Sequence, residues 1–211
     1  MSRMPRLLIT LVLASTIGLP IGAFADVAAI QHDWAKAMYD TPTDKKEAAL
    51  AAVADQARAL ATAEPQNAGA LIWEGIVLST LAGEKGGMGA LSLVKESRAA
   101  LESALKIDPT ALQGSAHTSL GSLYYQVPGW PIGFGDKDKA REHLKQALTM
   151  NPEGIDPNYF MADLLHEMGK DRKALVYLEK AAKAPARPGR ELADQGRHRE
   201  IDALRKEISE G

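Results

Sequence analysis

Residues 119–152 read SLGSLYYQVPGWPIGFGDKDKAREHLKQALTMNP, and this stretch decides the fold. Leu120-Gly121 followed by Tyr124-Tyr125 belongs to one helix. Gly135-Asp136, then Ala140, Leu144, Ala147 and a stop at Pro152, marks a second. Gly121, Ala140 and Ala147 are small enough for the two helices to approach, while Leu120, Tyr124, Leu144 and Leu148 fill the seam. Between them lies an irregular aromatic insert, PGWPIGF at 128–134.

The same grammar extends in both directions. A first helix is expected over 27–39, with Ile30, Trp34, Ala37 and Met38 on one face. Asp44 and Glu47 form a capping pair opening 45–63, which Pro65 closes. The next pair is 68–82 and 91–107, separated by GEKGGMG at 83–89, whose four glycines predict a mobile turn rather than helix. The third pair covers 114–127 and 137–150. The fourth covers 157–168 and 172–182, with Asp156 as a cap before Pro157 at the first helical position. After Pro185 and Pro188 a last helix runs 191–208. Pro65 to Pro109 is 44 residues and Pro109 to Pro152 is 43. Each matches a repeat of about 34 residues lengthened by a loop. ALKIDP (104–109) and ALTMNP (147–152) close consecutive repeats, and ATAEP, ending at Pro65, is a drifted copy.

The chain has 211 residues, enough for one domain with a real core. Arg3 and Arg6, an apolar run over 7–19 and Ala23-Phe24-Ala25 read as an export signal at 1–25, cut after Ala25. The run is shorter than the roughly 20 residues a membrane-spanning helix needs. The expectation is therefore one domain at 26–211, soluble and periplasmic. That mature chain holds 23 basic against 27 acidic residues, about −4, which disfavours nucleic acid and anionic membranes. The absence of cysteine removes disulfides, thiol catalysis and Cys-based metal sites.

On these residues the chain resembles tetratricopeptide-repeat (TPR) proteins, best over 120–182. Gly75, Gly121, Gly169, Ala104, Ala140, Ala147, Ala174, Ala181, Pro109 and Pro152 match that pattern, whereas the first repeat and Ser97 depart from it. KGGMGALSLVKE, LGSLYYQVPGWPIGFGD, NPEGIDPNYF and PARPGRELADQGR are similar to a group of exported bacterial repeat proteins. They are also similar to the repeat component that accompanies some tripartite (TRAP-type) transporters. The resemblance implies an all-α, right-handed α-α superhelix of about four helical pairs with a C-terminal capping helix. It also implies a non-catalytic interaction module that binds a protein or peptide in its concave groove.

In such repeats the first helix of each pair lines the concave face. By that geometry the groove presents Ile72, Ile76 and Ser79, then Thr118, Ser122, Tyr125 and Gln126, then Tyr159, Asp163 and His166. Tyr125, Gln126, Tyr159, Asp163 and His166, with Trp130 and Phe134 of the aromatic loop, are the expected partner-binding residues. That loop also reads as a plug that buries its own aromatics. The second reading of the chain is a carrier of a small apolar ligand, or a transporter-associated component. A closed apolar chamber beside the 128–134 loop would favour the carrier, and an open groove of solvent-facing tyrosines the peptide binder.

No cofactor, metal or catalytic residue is expected. GEKGGMG lacks the Gly-Lys-Ser/Thr of a phosphate loop, and His166-Glu167 lacks the second histidine of a zinc motif. Arg187 to Lys206 reads as a solvated helix face with i,i+4 pairs. A homo-oligomer is left open.

Overall fold

The computed structural model describes residues 26–211, so the export signal read at 1–25 lies outside the described residues. Helices α1 (Val27–Tyr39), α2 (Thr43–Ala63), α3 (Ala68–Lys85), α4 (Gly87–Ile107), α5 (Ala111–Gln126), α6 (Lys137–Met150), α7 (Ile155–Glu167), α8 (Asp171–Ala182) and α9 (Glu191–Glu210) follow one another. They pack as antiparallel pairs, α1 on α2, α3 on α4, α5 on α6 and α7 on α8. Caps fix several starts. Asp26 accepts from the Ala29 N–H at 2.7 Å, Asn67 from Ala70, and Asp136 from Asp138 and Lys139.

Three local expectations need correction. Helix α2 opens on Thr43 with Pro42 at its N-cap and no side-chain cap, so Asp44 and Glu47 do not form a capping box. Helix α7 starts at Ile155 after Gly154, which puts Asp156 inside the first turn, where its carboxylate is free to meet other elements. The glycine-rich turn is mostly helix. Helix α3 continues to Lys85 and α4 begins at Gly87, and two adjacent glycines, Gly86 at φ 61° and Gly87 at φ 58°, make the reversal. A glycine inside a helix costs only about 1 kcal/mol, which the added turns of hydrogen bonds offset.

Repeat chemistry sets the pair spacing. A β-carbon on Gly75 would lie 2.5 Å from Leu101 Cγ, and one on Gly121 would lie 2.5 Å from Leu144 Cγ. The same contact therefore recurs in consecutive pairs. Ser97, the departure from the repeat pattern, is fully buried and donates to the Gly75 carbonyl at 2.6 Å. Its hydroxyl is satisfied by the backbone that an alanine would only touch. Ala147 is also fully buried. Enlarging it to leucine is expected to cost about 1–3 kcal/mol by overpacking, read as a lowered Tm with retained helical signal.

Two layers result. Helices α2, α4, α6 and α8 form the outer one. The inner one runs α1, α3, α5, α7, each touching the next. Helix α9 covers α8 and α7 as a terminal cap, and it also reaches back to α1. The superhelix closes into a ring. Gly196 of α9 meets the Tyr39 ring so closely that a β-carbon there would collide with it.

Candidate functional site

The ring surrounds a cavity of about 1110 Å³ that remains open to solvent on one side. Its apolar wall takes Trp34 from α1, Trp73 and Ile76 from α3, Leu123 from α5, and Tyr159 and Phe160 from α7. Trp34 meets Tyr39 and Trp73 edge-on, with centroids 5.7 and 5.6 Å apart, and its indole donates to Thr80 Oγ1 at 3.0 Å. These aromatics hold one another in place, so the wall is preorganised.

A second wall is charged, and the solvated-face expectation for the tail is corrected here. Arg197 is 9% exposed, with its guanidinium 4.5 Å from the Tyr159 ring centre and 4.7 Å from that of Phe160. Its Nε donates to Asp156 Oδ1 at 2.9 Å and its Nη1 to Glu200. Arg187 donates to Asp156 Oδ2 at 2.6 Å and to Asp194 Oδ1 at 2.7 Å. Tyr39 donates to Glu200 Oε1 at 3.0 Å, which carries the network from α9 to α1. Burial alone would raise the Asp156 carboxyl, but Arg197 and Arg187 outweigh it and hold the group down at about 2.

Strained backbone contributes as well. Leu112, Gln113 and Gly114 adopt φ of 48°, 56° and 77°, a left-handed turn ahead of the right-handed part of α5. For a residue with a β-carbon this costs roughly 1–2 kcal/mol. Leu112 and Gln113 face the cavity, the kind of place where strain accompanies a site.

The expected partner-binding residues do not form one site. Tyr159 and Gln126 line the cavity, as do Ile76, Ser79, Thr118 and Ser122. Tyr125 is only 6% exposed and points into the seam between α5 and α7, where its hydroxyl donates to Asp163 Oδ2 at 2.6 Å. Burial first, then Asp163, pushes its pKa well up. His166 sits on the outside, with Nδ1 2.6 Å from Asp171 Oδ1 and Nε2 3.7 Å from Glu207. The aromatic loop splits its two rings. Phe134 packs edge-on against Tyr124 at 5.6 Å and under Arg98 at 4.5 Å. Trp130 is 90% exposed. Gly135 makes the loop possible, because a β-carbon there would strike the Val127 carbonyl.

Sequence reading missed Trp34 and Trp73 as wall residues, and Arg187, Arg190 and Arg197 altogether. Their one visible signal was small residues, Ala193 and Gly196, on a helix otherwise rich in charge.

Outside the cavity, His117 and His143 join α5 to α6 through their Nδ1 atoms, 2.9 Å apart. Burial, then His117 and Lys139, lowers His143 to about 4, and burial also lowers His117. Between pH 6.5 and 4 the unfolded chain therefore takes up protons that the folded one refuses. Protons favour unfolding there, and stability falls as pH falls. The expected result is a Tm that drops over this window, with a shallower slope in His143→Gln; equal slopes would contradict it.

Helical pairs wound into a two-layer superhelix, with an inner layer closed by α9 around a ligand-sized chamber, define a TPR-type solenoid. The solved structure of a thermophilic TPR protein from Thermus thermophilus is similar, at a TM-score of 0.54 and 19% identity over 71% of each chain. A comparison with curated proteins finds no match. The chain belongs to the TRAP transporter T-component family, whose model matches residues 27–210. No helix among the described residues is long and apolar enough to cross a membrane.

Proposed function

We propose that this protein is a non-catalytic, transporter-associated carrier that holds one small, largely apolar molecule inside its ring. The carrying observation is the cavity of about 1110 Å³, walled by Trp34, Trp73, Ile76, Leu123 and Phe160. Ligand pockets run to about 300–1,000 Å³, so the chamber is of the right order. A peptide groove needs an open face with solvent-facing tyrosines. Here α9 joins α1 and narrows that face, and Tyr125 is buried. The carrier reading is therefore preferred over the peptide groove.

A protein partner keeps a place on the rim. Trp130, Met88 and Ile132 are 90%, 86% and 64% exposed, and Met88 and Ile132 also reach the cavity edge. Exposed apolar anchors of this kind suit docking to another transporter component. Export belongs to the same proposal. A cut after Ala25 would leave Asp26, which caps α1, as the first residue. Amino-terminal sequencing of the exported protein is expected to begin there, and a chain still starting at Met1 would contradict it.

Binding of the uncharged fluorophore N-phenyl-1-naphthylamine tests the carrier reading. One molecule per chain should bind with micromolar affinity, and Ser122→Trp, which fills the chamber, should weaken it by more than tenfold. No binding, or binding indifferent to that substitution, would overturn it.

A further inference from the structure

Three arginines reach the charged wall of the cavity, Arg187, Arg190 and Arg197, and three carboxylates stand beside them, Asp156, Asp194 and Glu200. All six carboxylate oxygens are occupied. Asp156 accepts from Arg197 Nε and Arg187 Nη1. Asp194 accepts from Arg187 Nε and from the Arg187 backbone N–H at 2.9 Å. Glu200 accepts from Tyr39 and Arg197. Arg190 makes none of these bonds.

Among the described residues, Arg190 Nε is buried with no hydrogen-bond partner. Its guanidinium lies 5.0 Å from the centre of the Trp73 ring, itself part of the apolar wall. A guanidinium carries five donors in a planar fork, and leaving a buried one unmet, as the Nε–H is here, is unfavourable. Contact with the Trp73 ring holds the guanidinium at the wall without using its donors. The side chain is held against the ring, and its buried Nε–H is unsatisfied.

We propose that Arg190 on Trp73 is a headgroup subsite of the chamber that takes the carboxylate of an amphipathic organic acid, whose apolar body lies against Trp34, Ile76, Leu123 and Phe160. The inference rests on the carrier reading above. A carboxylate matches the fork in a bidentate pair. The wall already balances three cationic with three anionic side chains, so a ligand with one negative charge disturbs it less than a phosphate dianion would. Burial and the neighbouring Arg187 weaken the Arg190 cation, and a bound anion would relieve both.

Displacement of N-phenyl-1-naphthylamine by dodecanoate and by dodecanol separates the headgroup from the tail. The purified protein should bind dodecanoate at least tenfold more tightly than dodecanol. In Arg190→Gln that ratio should collapse to near one. Arg190→Lys, which keeps the charge but not the fork, should retain part of it. Equal affinities in the unsubstituted protein, or a ratio preserved in Arg190→Gln, would overturn the subsite and leave the carrier reading standing. If the neutral probe, the acid and the alcohol all fail to bind, both readings fall together. The ratio in the unsubstituted protein decides the matter even where Arg190→Gln does not fold.

Discussion

Replacing Asp156 by alanine is expected to cost about 3–5 kcal/mol of folding stability, because it leaves buried charges without their partner. One carboxylate receives both Arg187 and Arg197, from two points of the segment that closes the ring. No other oxygen nearby is spare, since Asp194 and Glu200 already accept elsewhere. At roughly 2–4 °C per kcal/mol for a chain of this size, the fall in Tm is easily measured. The folded carboxyl, at about 2, lies below its ordinary 3.8. The stability it contributes is therefore full above the ordinary value and lost as pH falls through the folded one. The difference between Asp156→Ala and the unsubstituted protein should be constant from pH 5 to 8 and shrink only below pH 4. A loss under 1 kcal/mol at pH 7 would mean that the network does not hold α9 in place.

Tyr125→Ala should be nearly as damaging, about 3–5 kcal/mol, the usual loss for a large aromatic removed from a core. Tyr125→Phe isolates the hydroxyl. It leaves Asp163 without its donor and should cost about 1–3 kcal/mol. Tyr159→Ala should be milder, since that ring is half-buried and faces the cavity beneath Arg197. Urea unfolding of the three variants ranks them. A Tyr125→Ala protein that melts like the unsubstituted one would return Tyr125 to the inner face and cost the α5–α7 seam its main filler.

Helical pairs were legible because their determinants are local. Pro65, Pro109 and Pro152 end the outer helices at near-constant spacing, and Gly121, Ala140 and Ala147 mark the contact within a pair. The inner face was legible in part. Thr118, Ser122 and Gln126 recur every four residues and do line the cavity. Tyr125 is three residues from Ser122, about 60° further round the helix, and that rotation takes it into the seam with α7. A polar aromatic gives no hint of which side it favours, since both offer a partner for its hydroxyl.

Ring closure was not legible. Tyr39 and Glu200 are 161 residues apart, and no period in the chain announces their contact. Opposite charges along 187–206 look alike in sequence whether they face solvent or one another. Arg197 is buried only because Tyr159, Phe160 and Asp156, from another helix, surround it. The glycine-rich reversal misled for a different reason. Composition marked it as loop, yet two residues with positive φ, Gly86 and Gly87, suffice for the turn.

The central claim is that α9 closes the superhelix on α1 around the chamber. The chain has no cysteine, so Tyr39→Cys combined with Gly196→Cys introduces a single pair of thiols at the point where the two helices touch. Mild oxidation of the monomer should form one intramolecular disulfide in nearly every molecule, read as thiols blocked to labelling and a faster band on a non-reducing gel. Two thiols that stay open to labelling would place α9 away from α1 and leave the ring open.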